Sequence, residues 1–232
     1  MTKNGEKVSA GSYDLNKWLF GGYDKDIITV FFGGPGTGKT NFCLATAVSQ
    51  AKKGNKVIFI DTEGGFSVER VEQLAGGDLE KVLKNILLLK PTDFSEQKKV
   101  FDKLHQYLKK EASLIVVDGM AILYRLDFAL AREKGEEKMK EINAELAKQM
   151  RTLAEISRKR NIPVLVTNQV YNWEEGQKMV GGDILRYWAK CLIELVNDNG
   201  KRKAYLRKHR SLPEKSLNFQ ITNDGVRKRG WL

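Results

Sequence analysis

The sequence predicts an α/β fold: a mostly parallel central sheet with helices on both faces and antiparallel strands towards the C-terminus. Three observations carry this. Continuous apolar runs of strand length recur at 27–32, 56–60, 86–89, 114–117 and 163–166, as expected of strands covered on both faces. Helix-length segments separate them. Beyond Gly181-Gly182 the strands at 191–196, 204–206 and 219–221 alternate more and lie close enough to pair antiparallel.

The first run, Ile27-Ile28-Thr29-Val30-Phe31-Phe32, opens into Gly33-Gly34-Pro35-Gly36-Thr37-Gly38-Lys39-Thr40 and a helical stretch beginning at Asn41. This strand–loop–helix setting is what the Gly-x-x-x-x-Gly-Lys-Ser/Thr pattern requires for a phosphate-binding loop. Glycines let backbone N–H groups converge on phosphate oxygens, and the helix adds its unpaired N–H groups and positive dipole end. Lys39 is expected to reach the β- and γ-phosphates and the Thr40 hydroxyl to ligate Mg²⁺. The chain is thus expected to bind ATP or GTP.

Gly54 marks the end of that helix, and the strand at 56–60 follows, ending in Asp61-Thr62-Glu63. Residues 68–74 read as a helix broken by Gly76-Gly77. The strand at 86–89 stops near Pro91, and Thr92 or Asp93 caps a helix running to Leu108, with Phe94, Val100, Phe101, Leu104 and Leu108 on one face. The run Leu114-Ile115-Val116-Val117 ends in Asp118, a carboxylate suited to Mg²⁺ through water or Thr40. A long helix over about 136–160 carries Met139, Ile142, Leu146, Met150, Leu153 and Ile156 at 3- and 4-residue steps. The strand at 163–166 ends near Asn168 and Gln169. Open parallel sheets place function at the carboxyl ends of their strands, so Asp61, Thr62, Glu63, Asp118, Asn168 and Gln169 are the residues to inspect. Glu63 is placed to polarise a water and Gln169 to hydrogen-bond the γ-phosphate.

At 232 residues the chain has the size of one large domain, read as an entry segment over 1–25 and a core over 26–232. Forty Lys and Arg against 29 Asp and Glu give a net charge of +11, a field suited to polyanions. Cys43 and Cys191 sit in apolar patterns and read as buried thiols. His105 and His209 have no metal-ligand spacing, and no apolar run approaches membrane-spanning length, so a soluble intracellular protein is expected.

Together these elements resemble the RecA-type recombinase superfamily, and within it the archaeal RadA/RadB group, over about residues 8–228. The carriers are residues 33–40; Ile60-Asp61-Thr62-Glu63-Gly64-Gly65-Phe66 with Glu69-Arg70; Val117-Asp118 followed by Ala121-Ile122-Leu123-Tyr124-Arg125; Val166-Thr167-Asn168-Gln169-Val170; Gly181-Gly182-Asp183-Ile184-Leu185; and Ile221-Thr222-Asn223-Asp224-Gly225-Val226. The resemblance implies a RecA-like P-loop core in which the Gln169 strand lies between the phosphate-loop strand and the Asp118 strand. It implies ATP and Mg²⁺ as ligands. Nucleotide contacts would come from Gly33, Gly34, Pro35, Gly36, Thr37, Gly38, Lys39, Thr40 and Asn41, with Arg70 over the adenine. Lys39, Glu63 (the base for water) and Gln169 (the sensor) form the catalytic set, with Thr40 and Asp118 on the metal.

The resemblance also implies DNA contact from two loops, near 127–137 with Arg132 and Lys134, and at 170–180 with Tyr171, Trp173 and Lys178. Arg207-Lys208-His209-Arg210 lies where relatives present charge to a neighbour's nucleotide. Fewer than thirty residues precede the first core strand, so the helical DNA-binding domain of full recombinases is expected to be absent. The leader has no Phe-x-x-Ala motif, and the second loop is short. This pattern resembles the core-only RadB branch. It implies a DNA-binding accessory protein of recombinational repair with weak ATP hydrolysis, nucleoid-associated in the cytoplasm. Expected partners are single-stranded or branched DNA, a RadA-type recombinase, other repair proteins and further copies of itself in a homo-oligomer. The alternative is a KaiC-like nucleotide-switched scaffold acting on proteins.

Overall fold

Alternation of strand and helix along the chain builds one twisted sheet with helices packed on each face. The structure, a computed structural model, describes residues 6–108, 112–173 and 176–230, with the side chains of 172–177 outside that description. The entry segment forms β1 (Lys7–Val8), α1 (Tyr13–Trp18) and β2 (Tyr23–Asp24), with β1 and β2 paired antiparallel. Ser12 caps α1 by accepting from the Leu15 N–H, and its hydroxyl donates to the Val226 carbonyl near the other end of the chain.

The core continues as β3 (Ile28–Gly33), α2 (Lys39–Lys52), β4 (Lys56–Asp61), α3 (Val68–Ala75), α4 (Leu79–Lys84), β5 (Ile86–Leu89), α5 (Phe94–Asp102) and α6 (Leu104–Tyr107). Next come β6 (Ala112–Asp118), α7 (Ile122–Glu133), α8 (Glu136–Arg160), β7 (Val164–Trp173), β8 (Gly176–Met179) and α9 (Gly182–Trp188). The chain closes with β9 (Cys191–Asp198), β10 (Lys201–His209), β11 (Lys215–Thr222) and β12 (Gly225–Lys228). The strand order is β12-β11-β10-β9-β3-β7-β6-β4-β5, with β8 paired to β7. Pairs from β9 to β5 are parallel, and those from β9 to β12 are antiparallel, as the sequence predicts. β7 does lie between β3 and β6.

Strand alternation divides the core into two layers. Phe31, Phe59, Val116 and Leu165 pack with Phe42 and Val48 of α2, while Val30, Ile60, Val117 and Val166 pack with Phe101, Leu146, Met150 and Leu153. Phe42 stands 5.5 Å from the ring of Phe31 and 5.1 Å from that of Phe219. That contact fixes how α2 leaves the phosphate loop; truncating such a buried ring costs about 3–5 kcal/mol. Cys43 and Cys191 are both buried free thiols. No helix among the described residues is long and apolar enough to cross a membrane.

Three expectations need correction. The helix over 92–108 starts as expected, with Asp93 accepting from the Glu96 N–H, but divides at Lys103, where the turn tightens through a Gln106 N–H to Lys103 carbonyl bond of 2.9 Å. The loop expected at 127–137 is the second half of α7 and the start of α8, joined only by Lys134 and Gly135. No breaker precedes Gly135, and Phe128 stacks on Tyr124 one turn earlier at 5.5 Å. The loop expected at 170–180 is instead a hairpin, with Tyr171 opposite Lys178 and Trp173 opposite Gly176. Val170 and Tyr171 suit a strand and carry β7 beyond the sheet.

Candidate functional site

The register of the parallel strands assembles a site at their carboxyl ends. Gly33 lies beside Gln169, and Asp61 beside Asp118. The phosphate loop joins β3 to α2, and its last glycine, Gly38, is the N-cap of α2 at φ +107°, a backbone shape that side chains disfavour. A Cβ there would also meet Ile221 Cδ1 at 2.9 Å. Gly38 supplies no side-chain cap and the first turn of α2 holds no acid, so the helix presents bare N–H groups and its positive dipole end. The Thr37 hydroxyl donates to the Gly34 carbonyl at 2.9 Å, bracing the loop, while Pro35 and Gly36 are exposed. Lys39 is folded into the loop, its Nζ donating to the Gly33 and Gly34 carbonyls at 3.0 and 2.8 Å. Burial pulls its pKa down, with Glu63 and Asp118 opposing. An ammonium held on neutral carbonyls gains by exchanging them for phosphate oxygens.

Asp118 ends β6 almost wholly buried. Its Oδ1 accepts a 2.5 Å hydrogen bond from the Thr167 hydroxyl, and its Oδ2 has no hydrogen-bond partner. Burial raises its pKa to about 6, partly offset by the hydroxyls of Thr167 and Thr40. A Cβ built on Gly65 would meet Asp118 Oδ2 and Thr40 Oγ1 both at 3.3 Å, so the two oxygens border one small space that glycine leaves open. A buried, unpartnered carboxylate oxygen beside a threonine hydroxyl suits Mg²⁺, which prefers a few oxygen ligands plus water and phosphate. Asp61 is spent structurally: its oxygens accept from the Gly65 and Phe66 N–H groups at 3.0 and 3.1 Å, shaping the turn that carries Glu63.

Glu63 lies exposed over this space. Gln169 Nε2 donates to its Oε2 at 2.9 Å. A Cβ built on Gly119 would meet Glu63 Oε1 at 2.2 Å, so a side chain there would push the Glu63 carboxylate aside. Thr62 ties the two strand ends together, its hydroxyl accepting from the Gly119 N–H at 2.9 Å. The neighbouring Asn168 is structural, donating to the Val180 carbonyl at 2.7 Å and so holding the return of the hairpin.

On the other flank, Arg70 Nε donates to Asn41 Oδ1 at 2.8 Å, and its Nη1 reaches Gln73 Oε1 at 2.7 Å and the Asn223 carbonyl at 3.3 Å. Its Nη2 is buried without a partner. Asn41 therefore orients Arg70 instead of facing the phosphates.

The expected DNA-contacting residues divide. Tyr171 and Lys178 share a groove with Tyr124, Phe128 and Arg186, and the Arg125 guanidinium lies 5.6 Å from the Tyr171 ring. Arg132 and Lys134 are exposed at the end of α7 and do not line that groove. The Trp173 side chain lies outside the described residues. In the cluster at 207–210, Arg207 pairs with Glu194 at 2.7 Å, Lys208 donates to the Arg186 and Ala189 carbonyls, and Arg210 holds Asp24 and Asp26 at 2.9 Å. These charges are spent within the fold. Sequence reading placed Thr62 among the strand-end residues but missed Thr167, Gly65 and Gly119; of these only Thr167, two positions before Gln169 on an alternating strand, carried a signal.

Fold and site define a RecA-like α/β core with a glycine-rich loop between β3 and α2. The family description "Rad51" matches residues 3–229, so the chain belongs to the Rad51 family. It is 40% identical over 212 residues to the DNA repair and recombination protein RadB of Methanocaldococcus jannaschii, covering 91% of this chain and 98% of that one. It is 39% identical over 223 residues to the same-named protein of Methanobrevibacter smithii, covering 91% and 92%. Among solved structures, a RadB recombinase crystal structure matches with TM-score 0.80 and 34% identity over 96% of this chain and 100% of that one. These relatives do not favour the KaiC-like alternative.

Proposed function

We propose that this chain is an ATP- and DNA-binding accessory protein of homologous recombination and repair, with weak DNA-dependent ATP hydrolysis. The observation that carries this reading is the convergence of Lys39, the Thr40–Asp118 oxygen pair and the Glu63–Gln169 hydrogen bond on one strand edge. Relatives named for DNA repair and recombination support the biological half. Backbone N–H groups of 34–40 and Lys39 would hold the polyphosphate, and Thr40 and Asp118 would hold Mg²⁺. The ion would supply charge neutralisation for the phosphates. Arg70, steadied by Asn41, would lie against the base.

Glu63 is the candidate base that takes a proton from water, and Gln169 orients it. When a γ-phosphate occupies the site, Gln169 has a second acceptor to choose. Gln169 precedes Tyr171 by two residues on β7, so its choice bears on the hairpin that carries Tyr171 and Lys178. This links nucleotide state to a groove with the aromatic and basic chemistry that single strands favour. Protein partners are proposed to include a RadA-type recombinase.

The test is anisotropy of a labelled single-stranded oligonucleotide over a salt series, with and without Mg·ATP. We expect the log of affinity to fall with the log of salt by about 0.7 per phosphate neutralised, and Mg·ATP to change the affinity. Absence of binding at 50 mM salt, or affinity indifferent to both salt and nucleotide, overturns the proposal.

A further inference from the structure

A second concave region lies between α1 and the strands β9 to β12. This groove of about 920 Å³ is lined on its apolar side by Trp18 and Leu217. Around it stand Lys17, Lys201, Arg202, Lys203, Lys228 and Arg229, against only Asp14 and Asp198. None of these six cations forms an ion pair among the described residues, whereas Arg207, Arg210 and Arg227 all do. Asp14 is committed, its Oδ2 accepting from the Lys228 N–H at 2.8 Å. Lys203 lies 4.8 Å from the centre of the Tyr205 ring, and the remaining surplus charge stands at the groove without an ion-pair partner among the described residues.

Two hydrogen-bond donors add to this. Trp18 is only 8% exposed, and its indole Nε1 is buried with no partner. Arg202 Nε, on β10, is likewise buried and unpartnered. Buried N–H groups left unpaired carry a desolvation cost, which an oxygen acceptor arriving in the groove would relieve. An apolar floor with a few convergent donors and an unpaired cationic rim is the composition of a recognition site.

We propose that this groove docks an acidic peptide segment of a partner protein. Carboxylates would meet the rim lysines and the Trp18 and Arg202 donors, and one aromatic or aliphatic side chain would sit on Trp18 and Leu217. The groove favours a peptide over a nucleic acid because its floor is apolar and Asp14 and Asp198 stand among its cations. A strand with a phosphate at every nucleotide cannot avoid those two charges, whereas a peptide places its acids where the cations are. Steering by the unpaired rim makes the encounter sensitive to salt.

The test uses a labelled ten-residue peptide of Glu and Asp with one central Phe, and a control in which every acid is its amide. Binding is read by anisotropy and by the Trp18 indole N–H resonance, assigned by its loss in Trp18→Phe. The acidic peptide is expected to bind and to move that resonance, and the amide control to do neither. Lys201→Glu with Lys228→Glu, both exposed, is expected to weaken binding roughly tenfold or more, while Mg·ATP affinity stays unchanged and reports an intact fold. A stationary Trp18 resonance, or equal binding by the charge-reversed variant, overturns the proposal. So does an oligonucleotide that moves the same resonance and displaces the peptide, because the groove would then be a nucleic-acid site.

Discussion

Asp118→Asn separates what a buried carboxylate costs the fold from what it does for the ligand. Burial raises the folded-state pKa of Asp118 from 3.8 to about 6, so the ionised form is disfavoured in the folded chain. A raised pKa contributes stability that is fully present below about pH 4 and lost as pH rises through about 6. A difference of roughly two units at about 1.4 kcal/mol each makes the cost about 3 kcal/mol at neutral pH. Asparagine keeps the oxygen that accepts from Thr167 and removes the charge. At pH 7.5, in EDTA and without nucleotide, Asp118→Asn is expected to be more stable by about 3 kcal/mol. For a chain of this length that corresponds to a melting temperature higher by about 6–12 °C. At pH 4 the two proteins should coincide. Urea titrations at pH 4, 5, 6 and 7.5 measure the difference directly. Mg·ATP at about a thousand times Kd should reverse the ranking, since it adds about 4.1 kcal/mol to the protein that binds it. A variant no more stable than wild type at pH 7.5, or equally stabilised at pH 4, would refute the reasoning.

Two further outcomes are expected. Glu63→Gln should bind Mg·ATP as wild type does while DNA-stimulated hydrolysis falls by roughly a hundredfold or more, measured by phosphate release; undiminished turnover would remove Glu63 as the base. Tyr171→Ala should weaken single-stranded DNA binding by about 1–3 kcal/mol without changing Mg·ATP affinity, measured by anisotropy and calorimetry.

The phosphate loop was legible because its chemistry is contiguous: strand, glycines, lysine and helix follow one another. Strand ends were legible for the same reason, since an apolar run halted by Asp61, Asp118 or Asn168-Gln169 marks the sheet's carboxyl edge. Pairings across the chain were not. Glu63 and Gln169 are 106 residues apart, and only the order of the strands brings them together. The Thr167–Asp118 hydrogen bond and the space beside Gly65 depend on the same register. The two expected loops failed for a local reason: residues 127–133 contain no breaker, and Val170 and Tyr171 prefer a strand. The basic cluster at 207–210 looked available because composition cannot show that Asp24 and Asp26, nearly two hundred residues away, engage Arg210.

Isothermal titration of Mg·ATP into the wild-type chain and into Lys39→Ala tests the central claim most directly. The wild type should bind one nucleotide per chain, tighter with Mg²⁺ than with EDTA, and Lys39→Ala should bind none at the same concentrations. Absence of binding by the wild type, or equal binding by both, would contradict the nucleotide site on which the functional reading rests.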